Sequence, residues 1–437
     1  MQAIESKEHY LSTFRQIHSG TQAPQWLDQL RESAIESFNA LGFPTTRNEE
    51  WKYTSVDPIV AIPFARGNGQ AKTVSAEDLF SISFTDFACN RLVFVNGDYI
   101  PQFSSLRELP QGMRVQSLAD ALKRDDQVLQ PYLAHNAKYQ REAFVALNTA
   151  FMEDGAVVVI PEGCRLEEPI YLVFVSVPVQ EPVASYPRNL IILKRGSEAK
   201  IVESYVGLGV GAYFVDAVTE LIGEENAVVE HYRLQRETAS GFHIGALDAC
   251  LGRSASCAAH GITLGGSLVR NDVHVVLDGE GSECALNGLY LMDGKQHVDN
   301  HTKIEHVQPR ATSLELYKGI LSGSARGVFN GQIIVHKDAQ KTDARQTNKN
   351  LLLSEGAVVN TKPQLEIHAD DVKCSHGSTI GQLDPAALFY LRSRGIGADD
   401  AQSLLSYGFA SDVVSRIRIP RMRARLDDFL LTKFGRK

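Results

Sequence analysis

The sequence lacks the features that mark secreted, membrane-spanning and disulfide-stapled proteins. Its six cysteines are scattered through 437 residues without a single Cys-x-x-Cys pair, which is typical of free thiols in a reducing compartment. No apolar run approaches the length of a transmembrane helix, and the first residues contain no apolar core of a secretory signal. We therefore expect a cytoplasmic protein with no membrane partner.

The chain also lacks an excess of positive charge, because 44 Lys and Arg against 52 Asp and Glu give a formal net charge of −8. Nucleic acids and anionic membranes are bound by concentrated Lys and Arg, so neither is an expected partner. The glycine-rich run at residues 207–211 lacks the Lys-Ser/Thr of a nucleotide-binding loop and is predicted to be an ordinary loop. The one basic cluster is predicted to be the solvated face of a terminal helix; it comprises Arg416, Arg418, Arg421, Arg423 and Arg425.

The length predicts two or three structural units, and the pattern along the chain gives their order. Residues 1–150 are mixed and largely helical. An amphipathic helix is expected over residues 23–41, ending at Gly42, and residues 46–54 are interpreted as a packed turn anchored by Trp51. Residues 384–437 are helical again: Asp384 and Pro385 form a good helix start, and a second helix is expected to end before Gly408.

Between these units, residues 151–383 consist of short β-prone runs separated by turn residues, for example residues 156–160, 190–193, 227–230 and 332–335. Small residues after a turn recur at intervals of 28, 30, 27 and 29, at Ala199, Ala227, Cys257, Cys284 and Ser313. Such a repeat is expected of a solenoid whose coils each contribute two or three strands. The preferred fold class is therefore mainly β, a right-handed parallel β-helix with Cys257 and Cys284 stacked as small core residues. A β-sandwich or double cupin is the competing class.

The most informative segment is residues 363–377, in which Cys374 and His376 lie two positions apart in a β-prone run. Residues i and i+2 of a strand share one face, so the thiol and the imidazole could point at one iron or sulfur species. Two ligands do not complete a tetrahedral site, so a stable metal centre would need further ligands. The alternative interpretation is a buried free cysteine beside a hydrogen-bonded histidine.

A second candidate is the alternating set His297, Asp299 and His301, which a strand would present on one face. Its chemical interpretation is a metal site, and with it a β-helical metalloenzyme. Its structural interpretation is a polar ladder that is hydrogen-bonded between neighbouring coils.

Several motifs together resemble the SufB/SufD family, the scaffold subunits of the SUF machinery that builds iron–sulfur clusters. They are residues 46–54, 318–319, 329–331, 363–377, 381–384 and 389–396. The resemblance covers most of the chain. The run at residues 49–54 and the triplet at residues 374–376 are more similar to the SufD branch than to the SufB branch. The SufB branch stays the close alternative.

The resemblance implies a non-enzymatic subunit that pairs with a SufB-like chain through its β-helix and binds a SufC-like ABC ATPase through residues 384–437. It places Cys374 and His376 near the junction of the two chains and implicates the histidine in cluster formation or iron delivery. No stably bound cofactor is expected, only transient iron or a cluster at that junction. The chain alone could also form a homodimer.

Overall fold

The structure is a computed structural model that describes residues 2–18, 23–67, 74–75, 77, 89–124, 127–178 and 181–435. Within these ranges the α-helices are α1 Gln2–His18, α2 Gln25–Leu41, α3 Asp57–Val60, α4 Leu118–Lys123, α5 Ala143–Phe151, α6 Pro385–Ser393, α7 Ala398–Val414 and α8 Pro420–Phe434. Two short 3-10 turns cover Glu49–Trp51 and Pro101–Phe103. The helix predicted over residues 23–41 is confirmed as α2, and Gly42 ends it with a positive φ of 64°, which glycine adopts without strain.

The described strands, in chain order, are β1 Ala65–Arg66, β2 Asn90–Val95, β3 Asp98–Tyr99, β4 Arg114–Ser117, β5 Ala156–Ile160, β6 Ile170–Ser176, β7 Val183–Ser185, β8 Arg188–Leu193, β9 Glu198–Gly207, β10 Tyr213–Gly223, β11 Val228–Arg236, β12 Gly241–Leu251, β13 Ser256–Thr263, β14 Leu268–Leu277, β15 Glu283–Met292, β16 His297–His306, β17 Thr312–Leu321, β18 Arg326–Val335, β19 Asp343–Leu352, β20 Val358–Ile367 and β21 Lys373–Gly381.

From β8 onward, successive strands go alternately to two parallel sheets. Sheet I runs through the even-numbered strands to β20, and sheet II runs through the odd-numbered strands to β21. Each strand pairs in parallel with the strand two further along the chain, so each coil of the solenoid contributes two strands. The predicted parallel β-helix is confirmed. A β-sandwich or cupin is excluded because those folds are antiparallel.

The interior of the solenoid, its lumen, is filled by inward-facing residues that stack from coil to coil. Ala199, Cys257, Cys284 and Ser313 occupy one such column, and Cys257 pairs directly with Cys284. The predicted stacking of the two cysteines is therefore confirmed, and both are buried. The member of the column between Ala199 and Cys257 is Val229 rather than Ala227, which lies one position before β11.

The N-terminal helices lie on the outer face of sheet I. Helix α5 is buried along almost its whole length and packs on α2 and β10. A buried ion pair holds this region in place: Arg188 Nη2 lies 2.7 Å from Glu220 Oε2, and the Glu220 carboxylate also accepts hydrogen bonds from the backbone of Ala134, Asn136 and Ala137. The same N-terminal part supplies β2 to sheet II and β4 to sheet I.

The C-terminal helices lie on the outer face of sheet II. Helix α7 contacts β15 and β17, so this unit packs along the middle coils and not on the last coil. Lys318 of β17 donates to Phe409 O and pairs with Asp412. Helix α7 passes through Gly408 without a break, contrary to the expected end before that residue. In the described part of the chain, no helix combines the length and apolar character needed to span a bilayer. The division at residues 150 and 383 stays a prediction.

Candidate functional site

The solenoid ends in two edge strands. Strand β20 pairs only with β18, and β21 pairs only with β19, among the strands that the structure describes. Among the described strands of three or more residues, these two alone contain no buried residue. The outward backbone N–H and C=O groups of an edge strand are a template for a further strand. We refer to this surface, formed by β20 and β21, as the open end.

Cys374 and His376 lie on β21 at the open end. Cys374 is in register with Ala344 and packs against the lumen core, and His376 is in register with Gln346. Ser378, the next residue of the same parity, contacts Thr361 of the opposite sheet at 2.9 Å. The face shared by positions 374, 376 and 378 therefore points into the last coil of the lumen. The predicted same-face arrangement is present, and it is accessible from the open end.

The two side chains differ in their surroundings. Cys374 is half-buried, and this burial raises the pKa of its thiol above the ordinary value. It is therefore a thiol at neutral pH, and binding a metal would release its proton. His376 is exposed and makes no side-chain hydrogen bond within the described residues. The interpretation of this pair as a buried cysteine beside a hydrogen-bonded histidine does not fit this geometry.

Below His376 the lumen column continues with Gln346 and Glu315, which pair in register on β19 and β17. Gln346 Nε2 donates a hydrogen bond of 2.8 Å to Glu315 Oε2, and both residues are almost fully buried. Burial raises the pKa of Glu315 to about 7. The sequence analysis missed these two residues, although both alternate in phase with the inward positions of their strands. The available indication was their spacing, because Gln346 lies one coil before His376 and Glu315 lies one coil before Gln346.

The second candidate set takes a different form. His297, Asp299 and His301 do share the outer face of sheet I, as predicted for a strand. However, Asp299 Oδ2 lies 3.0 Å from Arg270 Nη1, and His297 bonds to the Thr54 hydroxyl at 2.8 Å. Within the described residues, no group of three or more His, Cys, Asp or Glu side chains is arranged to hold a metal ion. The predicted metal site is wrong, because an arginine guanidinium already neutralises the carboxylate.

These side chains instead dock the N-terminal motif onto the solenoid. We call residues 49–54 the brace. The Arg270 guanidinium lies 3.8 Å from the ring centroid of Trp51 and donates to Glu50 O, while Thr54 donates to Asp299 at 2.6 Å. Further along sheet I, Glu50 accepts a hydrogen bond from Asn330, and Glu49 pairs with Lys362 on the edge strand β20. The brace therefore spans four strands of sheet I and reaches the open end.

The ionisation of this docking site follows from its charges. Burial alone would lower the pKa of His301, but Asp299 at 3.0 Å raises it to about 9. Burial alone would raise the pKa of Asp299, but the charges of His301 and Arg270 hold it well below its usual range. The interpretation of residues 46–54 as a packed turn anchored by Trp51 agrees with these contacts.

A second accessible surface lies on the C-terminal helices. Helix α6 has no buried residue, and its side chains Phe389 and Tyr390 are 75% and 57% exposed. Leu404 of α7 and Leu431 of α8 are also half exposed. Large exposed apolar side chains that cluster on one unit mark protein interaction sites.

Comparison with known proteins finds relatives of this chain along most of its length. A family model described as "SUF system FeS cluster assembly, SufBD core domain" matches residues 176–409, and one described as "SufBD protein N-terminal region" matches residues 4–172. A Synechocystis iron–sulfur cluster assembly SufBD family protein is 34% identical over 404 residues, 91% of this chain and 88% of the relative. The iron–sulfur cluster assembly protein SufD of Escherichia coli is 33% identical over 412 residues, 94% of this chain and 92% of the relative.

Proposed function

This chain belongs to the SufBD family of the SUF iron–sulfur cluster assembly system, and from that membership we propose that it is a non-catalytic, cytoplasmic scaffold subunit of the SufD type. The observation that carries the proposal is the open end, where Cys374 and His376 share one accessible face of an edge strand. Free thiols at all six cysteines support a reducing compartment. A SufB-type subunit is the alternative, and the near full-length similarity to a relative named SufD favours the SufD type.

The open end supports pairing with a second β-helix. Both edge strands have a free side, so a partner of the same fold could continue sheet I and sheet II at once. Burying the exposed apolar side chains Val358 and Ile380 would add to the backbone hydrogen bonds. The proposed partner is a SufB-like chain, which gives a heterodimer. A second copy of this chain would use the same surface when the partner is absent.

Iron, or a growing cluster, is the cargo of this scaffold. The thiolate of Cys374 and a ring nitrogen of His376 are soft and borderline ligands that suit iron. They are two ligands, and the described part of the chain does not arrange a third beside them. A complete site therefore requires ligands from the partner, which would hold iron only while the two chains are paired.

The exposed helix α6 supports docking of a SufC-like ABC ATPase. Phe389 and Tyr390 offer aromatic anchors of the kind that dominate protein interfaces. Since α6 contacts α7, and α7 packs on β15 and β17, movement of the bound ATPase would be transmitted through α7 to the strands of sheet II.

Recovery of the tagged chain from its native host tests the partners. We expect a homologous chain and an ABC-type ATPase to be recovered with it. The double variant Phe389→Ala/Tyr390→Ala should lose the ATPase and keep the homologous chain, while Leu106→Ala, at a similarly exposed residue elsewhere, should keep both. Recovery as an active monomeric hydrolase or lyase with tightly bound metal would contradict the proposal.

A second experiment tests the site. His376→Ala should impair cluster assembly by the purified complex and leave subunit pairing intact, whereas His368→Ala, at an exposed histidine next to β20, should have no effect. Normal assembly by His376→Ala would remove this histidine from the function.

A further inference from the structure

The lumen column beneath His376 contains two polar residues that the proposed function does not yet use. Glu315, Gln346 and His376 lie in register on β17, β19 and β21, and each faces the lumen. Neighbouring strands are about 4.8 Å apart, so each side chain stands directly over the one before it. In this column of described residues, Gln346 lies between the buried carboxylate and the accessible imidazole.

The orientation of the Gln346 amide is fixed from below. Its Nε2 donates to Glu315 Oε2 at 2.8 Å. Ionised Glu315 can only accept, so this form of the carboxyl group holds the NH₂ group toward β17. Its Oε1 is therefore directed away from Glu315. This oxygen is buried and accepts no hydrogen bond from the described residues, a condition that destabilises the folded chain while it persists.

Gly331 of the opposite sheet provides the space for this arrangement. A Cβ at position 331 would lie 2.3 Å from Gln346 Nε2 and 2.8 Å from its Cδ. Any other residue there would displace the amide. The motif at residues 329–331, which the resemblance singled out without a role, thus has a physical explanation in the packing of Gln346.

We propose that Gln346, oriented by Glu315, is a positioning residue for His376: its unpaired Oε1 accepts the ring N–H that faces the lumen. An amide oxygen is only an acceptor, so the ring nitrogen that meets it must carry the proton. The other ring nitrogen then keeps its lone pair and is directed toward the open end, where iron would arrive. Histidines that bind metals commonly donate their second ring N–H to an oxygen acceptor in this way. The inference deepens the proposed function and rests on it for the identity of the cargo.

Nitrogen-15 NMR of the full-length chain tests the tautomer without any metal. Histidine is labelled, and the His376 signals are assigned by their loss in His376→Asn. We expect one neutral tautomer for His376 in the unaltered chain and a mixture, as for an unrestrained imidazole, in Gln346→Met. His306, whose Nε2 contacts Ser313 Oγ at 2.9 Å inside the lumen, is an internal reference that should not change if the fold is intact.

The control is Gln364→Met, the same substitution at a glutamine on the outer face of β20, which should leave the tautomer of His376 unchanged. A second assay measures the rate of cluster formation by the purified complex supplied with ferrous iron and sulfide. Gln346→Met should lower this rate about 10- to 100-fold, the usual effect of removing the hydrogen-bond partner of a metal-binding histidine. Gln364→Met should leave the rate unchanged.

An unchanged His376 tautomer in Gln346→Met, with the His306 reference intact, overturns the proposal. If instead the tautomer changes but His376→Ala assembles clusters normally, Gln346 still positions the ring and the proposed function of His376 is the part that fails.

Discussion

Replacing Asp299 by Asn should abolish most of the pH dependence that His301, a contact of the brace, gives to the stability of the folded chain. The Asp299 carboxylate lies 3.0 Å from both Arg270 Nη1 and His301 Nε2 and accepts a 2.6 Å hydrogen bond from Thr54. Asparagine keeps the shape of the side chain and one acceptor oxygen but removes the charge. The protonated form of His301 then loses its main stabilising neighbour.

The magnitude follows from the pKa of His301, which lies at about 9 in the folded chain against an ordinary 6.5. A pKa that is higher in the folded state means that the bound proton stabilises the folded chain relative to the unfolded one. This stabilisation is fully present below pH 6.5 and is lost as the pH rises through about 9. At 1.36 kcal/mol for each pKa unit, the loss is about 3 kcal/mol. In Asp299→Asn the Coulomb interaction that raises this pKa is absent, so the corresponding loss should fall below about 1 kcal/mol.

Trp51 reports on the brace directly, because its ring stacks on the Arg270 guanidinium. The chain has two tryptophans, so a Trp26→Phe background leaves Trp51 as the only indole. Urea titrations followed by its fluorescence, at about pH 6 and about pH 10, give the free energy of unfolding at each pH. His368→Gln is the matched control, since that histidine also pairs with a carboxylate but is about half exposed, where such pairs contribute little. Equal pH dependence in the unaltered chain and in Asp299→Asn would refute the reasoning.

Two further substitutions test the packing around the site. Gly331→Ala should lower the free energy of unfolding by about 1–3 kcal/mol, because the added Cβ clashes with Gln346. The control is Gly261→Ala, whose added Cβ would meet no atom within 4 Å. It should leave the free energy of unfolding unchanged in the same urea titration. Glu220→Gln should lower the free energy of unfolding by about 3–5 kcal/mol, because it leaves the fully buried Arg188 guanidinium without its counter-charge. Glu162→Gln removes an exposed partner of Arg195 and should change the free energy of unfolding by less than about 1 kcal/mol. Equal effects of the two substitutions would contradict the role of burial.

The solenoid could be predicted because its determinants are local and repeat. The run at residues 156–160 is strand β5, and the spacing of Cys257 and Cys284 placed them correctly on adjacent coils. The strand alternation also placed Cys374 and His376 on one face. These inferences need only the period of a strand and the length of a coil.

What could not be predicted depends on contacts between distant parts of the chain. The alternation of His297, Asp299 and His301 is compatible with a metal site, and only the position of Arg270 between the carboxylates shows that it is not one. Helix α7 continues through Gly408 because packing on sheet II outweighs a local cost of about 1 kcal/mol. Gln346 resembles any polar strand residue until its register with His376 is known.

The brace also constrains the order in which the molecule is completed during synthesis. Glu49 pairs with Lys362 across 313 positions of the chain, so this contact is impossible until the ribosome has released the final coils. The coils themselves need only their neighbours and can be added one after another as they emerge. The nascent chain can therefore seat its first two helices early, but residues 49–54 lack part of their binding surface for most of translation. Closure of the brace is a late event that requires a finished solenoid.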